Sequence, residues 1–128
     1  MDVHPSRIVV DRPLTEQERS LIEWLLAHGD GDNAEFIAQL AQASVAALCP
    51  CGCASIDLAI AGRSGTGGMR VLADYQWTTP EGHLHGAFVF EQAGLLAGLD
   101  VWSIDGEGVP SVLPATEDLL PYGTLRAD

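Results

Sequence analysis

Apolar and polar residues follow two different periods along this chain, and the period changes near residue 44. Before that point, apolar residues recur at the three- and four-residue spacing of helices; after it, they recur at every second residue, as in strands. Helices gathered on one side of an antiparallel sheet give a two-layer fold. The pattern therefore predicts an α+β fold with two N-terminal helices packed on one face of a four- to five-stranded antiparallel meander.

The first helix is predicted between residues 14 and 29. Thr15 and Glu18 have the spacing of a capping box, and apolar residues follow at helical spacing. The same cap spacing recurs with Asp32, which predicts a second helix ending near Ala43. Because only a short turn separates the two helices, we expect them to pack against each other.

Five segments with strand character follow, separated by turns rich in glycine and proline. No long helical pattern lies between them, so we expect the strands to pair antiparallel. The predicted strands cover residues 45–49, 54–61, 70–78, 84–91 and 95–104. Alternation predicts that the helices cover the face that carries Ile56, Leu58, Ile60, Val71, Tyr75, Trp77, Phe88, Phe90, Leu99 and Val101.

The whole chain is predicted to form one domain over residues 1–128. A length of 128 residues is typical of one domain, and an apolar content of 47% is enough for a core. Proline residues near both ends predict an extended arm over residues 1–13 and an irregular tail over residues 105–128. One helical turn is expected in the tail, over residues 116–120.

The chain is strongly acidic. Eighteen aspartate and glutamate residues oppose six arginines, which gives a formal net charge of −12. Such a surface repels nucleic acid and anionic membranes, so neither is an expected partner. It can attract a basic protein, although the same charge is typical of a protein that needs only solubility. No signal sequence or apolar run of membrane-spanning length is apparent, which predicts a cytoplasmic location.

All three cysteines fall within one segment, Cys49-Pro50-Cys51-Gly52-Cys53. In a straight strand, residues two apart share a face but lie roughly 6.6 Å apart. Two thiolates that share a zinc ion are only about 3.8 Å apart. The sulfurs can therefore meet only if Pro50 and Gly52 fold the segment into a tight turn.

Three interpretations of this segment stay open. Zinc takes four ligands, and His83 or His85 could complete a set with the three cysteines, although C-x-C-x-C is not an established zinc spacing. A redox function has less support, because no C-x-x-C pair is present. The third interpretation is a plain turn whose thiols behave as small apolar groups. The cofactor prediction is therefore none, with zinc as the alternative.

The face of the sheet turned away from the helices is predicted to carry polar residues and one tryptophan. Such a surface can bind another protein or a second copy of the chain, and carboxylates with a histidine can perform acid–base chemistry. It is also the ordinary composition of a solvated sheet face. The predicted members are Asp57, Asp74, Gln76, His85, Glu91, Asp100 and Trp102.

Three segments of the chain resemble small bacterial proteins that combine a helical start, a turn of the C-G-C-x-S-I type and a strand-rich remainder. The segments are residues 48–57, 71–75 and 98–103, and the resemblance extends from residue 14 to about residue 120. It implies a fold and a bacterial source, but no activity, substrate or catalytic residue. Ala54 stands where such proteins often have proline, which implies a looser turn.

The sequence thus predicts a small acidic binding module rather than an enzyme. Its partner would dock on the polar sheet face, in the manner of immunity proteins or inhibitors. A zinc protein built on the cysteine segment is the alternative. The third hypothesis is an enzyme with a shallow pocket formed by Asp57, Asp74, His85 and Asp100.

Overall fold

A short strand opens the described part of the chain, before either helix. The computed structural model describes residues 7–124. The elements follow in the order β1 (Ile8–Pro13), α1 (Glu16–Ala27), α2 (Ala34–Gln39), β2 (Ala43–Leu48), β3 (Ile56–Ile60), β4 (Met69–Thr78), β5 (Leu84–Gln92), β6 (Leu95–Ser103) and β7 (Leu120–Pro121). Single 3-10 turns occupy Leu40–Gln42 and Thr116–Asp118, the second where a helical turn is predicted.

Helix α1 begins where the capping box predicts. The Thr15 hydroxyl accepts a hydrogen bond from Glu18 N at 3.1 Å, and Thr15 N donates to Glu18 Oε1 at 2.8 Å. These bonds satisfy donors that the first turn of a helix leaves without intrahelical partners. The apolar residues that the helix buries are Leu21, Ile22, Leu25 and Leu26.

Helix α2 is shorter than predicted and ends at Gln39 rather than near Ala43, where β2 begins. Phe36 is buried and ties this short helix to the core. Asp32 does not form a capping box; its side chain accepts from Ala34 N at 3.0 Å in a local turn. The chain therefore passes from helix to strand through one 3-10 turn.

The seven strands within residues 7–124 join one antiparallel sheet in the order β1-β2-β3-β6-β5-β4-β7. The predicted four- to five-stranded meander is therefore wrong. Strands β1 to β3 form one run and β4 to β6 another, and the runs meet where Ile56 pairs with Leu99. The loop over residues 61–68 lets the chain cross to the far side of the second run, so β3 and β4 are not neighbours.

The segments at the two edges of the sheet are strands within the predicted arm and tail. β1 pairs with β2, with Pro13 opposite Ser44. β7 pairs with β4 at the other edge, with Pro121 opposite Tyr75. Proline is tolerated there because an edge strand does not need to donate every backbone hydrogen bond. The predicted helical start is therefore wrong, because strand β1 precedes both helices.

Both helices pack on the same face of the sheet, with α1 against β4 and β5 and α2 against β6. The strand residues beneath them include Leu72, Ala87 and Val89, each 1% exposed or less. We call the opposite side the outer face. Neither helix described in residues 7–124 is long and apolar enough to cross a membrane.

Three residues predicted for the helix-covered face are placed wrongly. Phe88 pairs with Asp74 and Asp100 on the outer face, and Phe90 shares this face two residues later. Val71 is 39% exposed, and a register shift directly after it breaks the alternation of β4. In β5, Ala87 and Val89 point to the helices instead, because close packing against a helix leaves little room for phenylalanine.

Candidate functional site

The cysteine segment connects β2 to β3 as a tight turn. Gly52 N donates to the Cys49 carbonyl at 3.5 Å, and Gly52 has a φ of 90°, which glycine adopts without strain. Pro50 occupies the second position of this turn, where its fixed φ is favourable. Beyond the turn, Ala54 N donates to the Pro110 carbonyl at 2.9 Å, which ties the segment to the tail.

This turn brings the three sulfur atoms together. Cys49 Sγ and Cys51 Sγ are 2.7 Å apart, and all three sulfurs lie within 4.8 Å of one another. These separations are well below the roughly 6.6 Å of a straight strand. Cys51 is exposed, whereas Cys49 and Cys53 are half-buried. The segment therefore forms a cluster of accessible thiols, here called the cysteine cluster.

The thiols of the cysteine cluster differ in proton affinity. The hydrogen bond with Cys49, followed by that with Cys53, raises the pKa of Cys51 to about 11. Burial alone would raise the pKa of Cys53, but hydrogen bonds from Cys51 and Ser55 outweigh burial and lower this pKa below the usual thiol value. We therefore expect Cys53 to ionise before Cys51.

Ser55 connects the cysteine cluster to strand β6. Its buried hydroxyl lies 3.4 Å from Cys53 Sγ and 2.8 Å from Asp100 Oδ1, and it accepts from Val101 N at 2.8 Å. A serine hydroxyl has one proton, so it can donate to the Asp100 carboxylate or to a Cys53 thiolate, but not to both. Ser55 therefore fixes one side of the turn and can respond to the charge of the thiol.

A surface cleft of about 580 Å³ opens beside the cysteine cluster. Its walls include Cys49, Cys53, the start of α1 and part of the tail. Arg12 also lines it and forms a bidentate ion pair with Glu18, with both N–O distances at 3.0 Å. Because this arginine is already neutralised, the cleft presents thiols beside a polar wall without a strong excess of positive charge.

Neither predicted histidine ligand joins the cysteine cluster, since the group of metal-ligating atoms contains three cysteines and no histidine. His85 is 5% exposed; its ring centre lies 5.6 Å from that of Trp77, and its Nε2 lies 3.1 Å from the Glu107 carbonyl oxygen. His83 stacks beside it with ring centres 6.2 Å apart. The predicted zinc set is therefore reduced to its three sulfurs.

The outer face carries five of the seven residues predicted for a binding face. Asp57, on β3, pairs with Gly98 of β6. The other four lie in two rows across β6, β5 and β4. The first row is Asp100, Phe88 and Asp74, here called the acidic row, and the second is Trp102, Gly86 and Gln76.

The two remaining predicted residues have other roles. His85 lies against Trp77, a core residue, and not on the outer face. Glu91 lies near the end of β5, where it accepts from Gly94 N at 3.0 Å and pairs with Arg70 at 2.8 Å. The Gly94 bond, followed by the Arg70 bond, holds the pKa of Glu91 below its usual range. Glu91 therefore stabilises the turn between β5 and β6.

Asp74 is a carboxylate with unused hydrogen-bonding capacity at one end of the acidic row. Its Oδ1 atom is buried and has no hydrogen-bond partner among the described residues. Burial, followed by the negative charge of Asp30, raises the pKa of Asp74. Trp102 Nε1 is also buried without a partner in this part of the chain, and a Cβ atom at Gly86 would lie 2.6 Å from it. An acceptor and a donor are thus both unsatisfied on the outer face.

Sequence reasoning missed the roles of four residues of these sites. Phe88 has the hydrophobicity of a core residue, and only the small residues beside it in β5 indicate the opposite orientation. Arg12 and Glu18 lie on different elements, so no sequence spacing predicts their ion pair. The one signal for Ser55 is its place in the C-G-C-x-S-I turn.

Comparison with protein-family models, with curated proteins and with solved structures finds no match for this chain. The resemblance to small bacterial proteins therefore stays an expectation. The indications of function are two sites, the cysteine cluster beside its cleft and the acidic row on the outer face.

Proposed function

We propose that this chain is a binding protein whose outer face docks a basic segment of another protein. The observation that supports the proposal is the acidic row, in which Phe88 lies between Asp74 and Asp100 on three neighbouring strands. All three residues are half-buried, and both helices pack on the other face of the sheet. A partner can therefore approach the row from solvent.

The acidic row has the composition of a site for a cationic side chain. Neighbouring strands lie about 4.8 Å apart, so the two aspartates are roughly 10 Å apart with Phe88 between them. A guanidinium or ammonium group above an aromatic ring is attracted to the ring face, and a carboxylate beside it adds a charge-assisted hydrogen bond. Arginine fits best, because its planar group can stack on the ring and donate to a carboxylate together.

Aromatic residues near the acidic row supply the contact area that charge alone does not provide. The ring centre of Phe90 lies 5.9 Å from that of Phe88, and the ring centre of Trp102 lies 5.9 Å from that of Tyr122. Tyr122 is 49% exposed, so this corner of the outer face is accessible. Aromatic side chains are common anchors of protein interfaces.

Among the three aspartates of the outer face, Asp74 is the expected anchor for the cation. Asp57 lies 3.7 Å from the guanidinium of Arg7, and Asp100 accepts from the Ser55 hydroxyl. Asp74 forms no ion pair with a described residue, so the exposed part of its carboxylate is available to a cation. A cation at the exposed part of this carboxylate would favour its ionised form, which burial disfavours.

A calorimetric titration with a short arginine-rich peptide tests the proposal. Asp74→Asn removes one charge from the acidic row, and Glu23→Gln removes one from the exposed side of α1, so the two variants have the same net charge. We expect the affinity to fall about tenfold, or ~1.4 kcal/mol, for Asp74→Asn and to stay nearly constant for Glu23→Gln. Equal losses would show that the peptide responds only to net charge and would contradict the proposal.

The variant Phe88→Leu distinguishes the contribution of the aromatic ring from that of apolar volume. The variant keeps an apolar side chain between the two aspartates but removes the aromatic face. We expect about threefold weaker binding of the arginine-rich peptide, in line with a cation–π contribution of about 0.5–1 kcal/mol. Unchanged binding, in a variant whose circular dichroism matches the parent, would remove Phe88 from the site.

A further inference from the structure

The cysteine cluster is the one group of three or more convergent metal-ligating side chains in residues 7–124. It lies at the turn between β2 and β3, beside a cleft that the proposed protein-binding face does not use. The hydrophobic core forms without it, since none of the three cysteines belongs to the buried cluster. Convergence of three thiols in an accessible turn therefore calls for an explanation other than packing.

We infer that Cys49, Cys51 and Cys53 bind one thiophilic d¹⁰ metal ion, Zn²⁺ or Cu⁺, through their three sulfur atoms. Thiolates are soft ligands that select these ions over magnesium, calcium or manganese, which prefer oxygen. The three sulfurs already lie within 4.8 Å of one another, so a single ion can contact all of them after small side-chain rotations. The 2.7 Å between Cys49 Sγ and Cys51 Sγ would widen to about 3.8 Å around a shared zinc ion.

Polar groups around the sulfurs fit this assignment. Cys53 N lies 3.3 Å from Cys51 Sγ and points its hydrogen at the sulfur, and the Ser55 hydroxyl lies 3.4 Å from Cys53 Sγ. The N–H contact stabilises negative charge on Cys51, and the hydroxyl contact helps to orient Cys53, as outer contacts do around the ligands of a metal. Gly52 allows the turn that presents all three sulfurs to one point.

The site is incomplete for zinc, because zinc normally takes four ligands and the group contains no histidine or carboxylate. The cleft of about 580 Å³ beside Cys49 and Cys53 gives a small molecule or water access to the remaining position. An exposed ion with an open position exchanges more readily than one enclosed by four protein ligands. The geometry thus points to reversible loading, and the apo-protein is expected to stay folded, unlike a domain that depends on structural zinc.

The test uses the full chain, reduced and kept free of oxygen, with its three free thiols counted before metal is added. Zn²⁺ and Cu⁺ are added separately in competition with a chromogenic chelator for each ion. We expect one ion per chain, and at least about 100-fold weaker binding in Cys49→Ser, Cys51→Ser and Cys53→Ser, since loss of a ligand exceeds loss of a supporting contact. Binding of one of the two ions supports the site and identifies its metal.

His83→Asn is the matched control, because His83 carries a metal-ligating ring but lies outside the cysteine cluster. We expect its affinity to equal that of the parent chain. Co²⁺ offers a second readout, since sulfur-to-cobalt charge-transfer absorbance should appear in the parent and vanish when all three cysteines are serine. Circular dichroism of each variant shows whether the fold is kept. The inference is overturned if neither ion binds, if the triple serine variant binds as well as the parent, or if His83→Asn weakens binding as much as Cys51→Ser.

Discussion

Stability and the proposed binding role make opposite demands on Asp74. Its half-buried carboxylate has one oxygen without a partner in residues 7–124, and its pKa is raised, first by burial and then by the charge of Asp30. A residue retained only for the fold would be better as an uncharged isostere here. The charge is therefore most easily understood as part of a site that a cation completes.

Asp74→Asn is expected to stabilise the folded chain at pH 7 by up to about 1 kcal/mol, because it removes a partly desolvated charge. When folding raises the pKa of an acid, ionisation of that acid destabilises the folded chain. This destabilisation disappears once the pH falls below the unfolded-state pKa of the acid. The advantage of the variant over the parent should therefore shrink as the pH is lowered through the raised pKa. Urea unfolding from pH 7 to pH 3 measures both effects.

Lower stability of Asp74→Asn at pH 7 would show that the carboxylate supports the fold, contrary to this expectation. The informative combination is greater stability together with weaker binding of the arginine-rich peptide. A purely structural residue cannot produce that combination, because its loss would weaken both properties in the same direction.

For single residues, the sequence showed what a site would require, but it did not show which side chains the fold brings together. The cysteine spacing showed that the sulfurs meet only in a tight turn, and Pro50 and Gly52 made that turn plausible. Whether His85 would join them depended on which face of β5 carries its ring, and His83 lies in the turn before that strand. His85 packs against Trp77, and this orientation depends on the phase of the whole strand.

At the scale of elements, helix α1 is the best-predicted part of the fold because its signals are local. The capping box lies within four residues, and the apolar stripe lies within two turns. The prediction of which β5 residues face the helices was wrong. Hydrophobicity alone placed the phenylalanines on that face, whereas Ala87 and Val89 pack there against α1. Strand order failed for a related reason: pairing of β3 with β6 joins residues about 40 positions apart, and no local pattern encodes it.

The contact between β1 and α1 depends on Glu18. This carboxylate caps the helix through Thr15 N and also accepts two hydrogen bonds from Arg12 on β1. Burial alone would raise the pKa of Glu18, but the bonds from Arg12 and Thr15, with the charge of Arg12, outweigh it and hold this pKa below its usual value. One side chain therefore joins a helix start to an edge strand.

Glu18→Gln is expected to destabilise the chain by about 1–2 kcal/mol at pH 7, since it weakens charge-assisted bonds at a site that is 7% exposed. An acid with a lowered pKa contributes stability above its unfolded-state pKa and loses it as the pH falls through the folded-state value. The difference from the parent should therefore be full at pH 7 and smaller at pH 3, which lies below the unfolded-state pKa. Glu16→Gln, an exposed first-turn control, should change stability by less than about 0.5 kcal/mol at either pH. A pH-independent difference for Glu18→Gln would argue that side-chain shape, and not charge, matters here.

For the whole molecule, a net charge of −12 on 128 residues makes self-repulsion a term in stability. Only three ion pairs are found in residues 7–124, formed by Arg7, Arg12 and Arg70, so most of the acidic residues in that range have no cation beside them. Folding brings these charges closer together than they are in the expanded chain. Screening by salt should therefore stabilise the fold more than it weakens the three pairs.

The same salt should act in opposite directions on stability and on the proposed binding. Raising NaCl from about 0.05 to 0.5 M shortens the screening length severalfold, so we expect a higher urea midpoint of unfolding at pH 7 but weaker binding of the arginine-rich peptide. Near pH 4.4, the isoelectric point of the chain, the net charge vanishes and the rise in midpoint should largely disappear. A midpoint that falls with salt at pH 7 would mean that the ion pairs outweigh the repulsion. Peptide binding that does not respond to salt would mean that the aromatic side chains, and not the aspartates, dominate the contact.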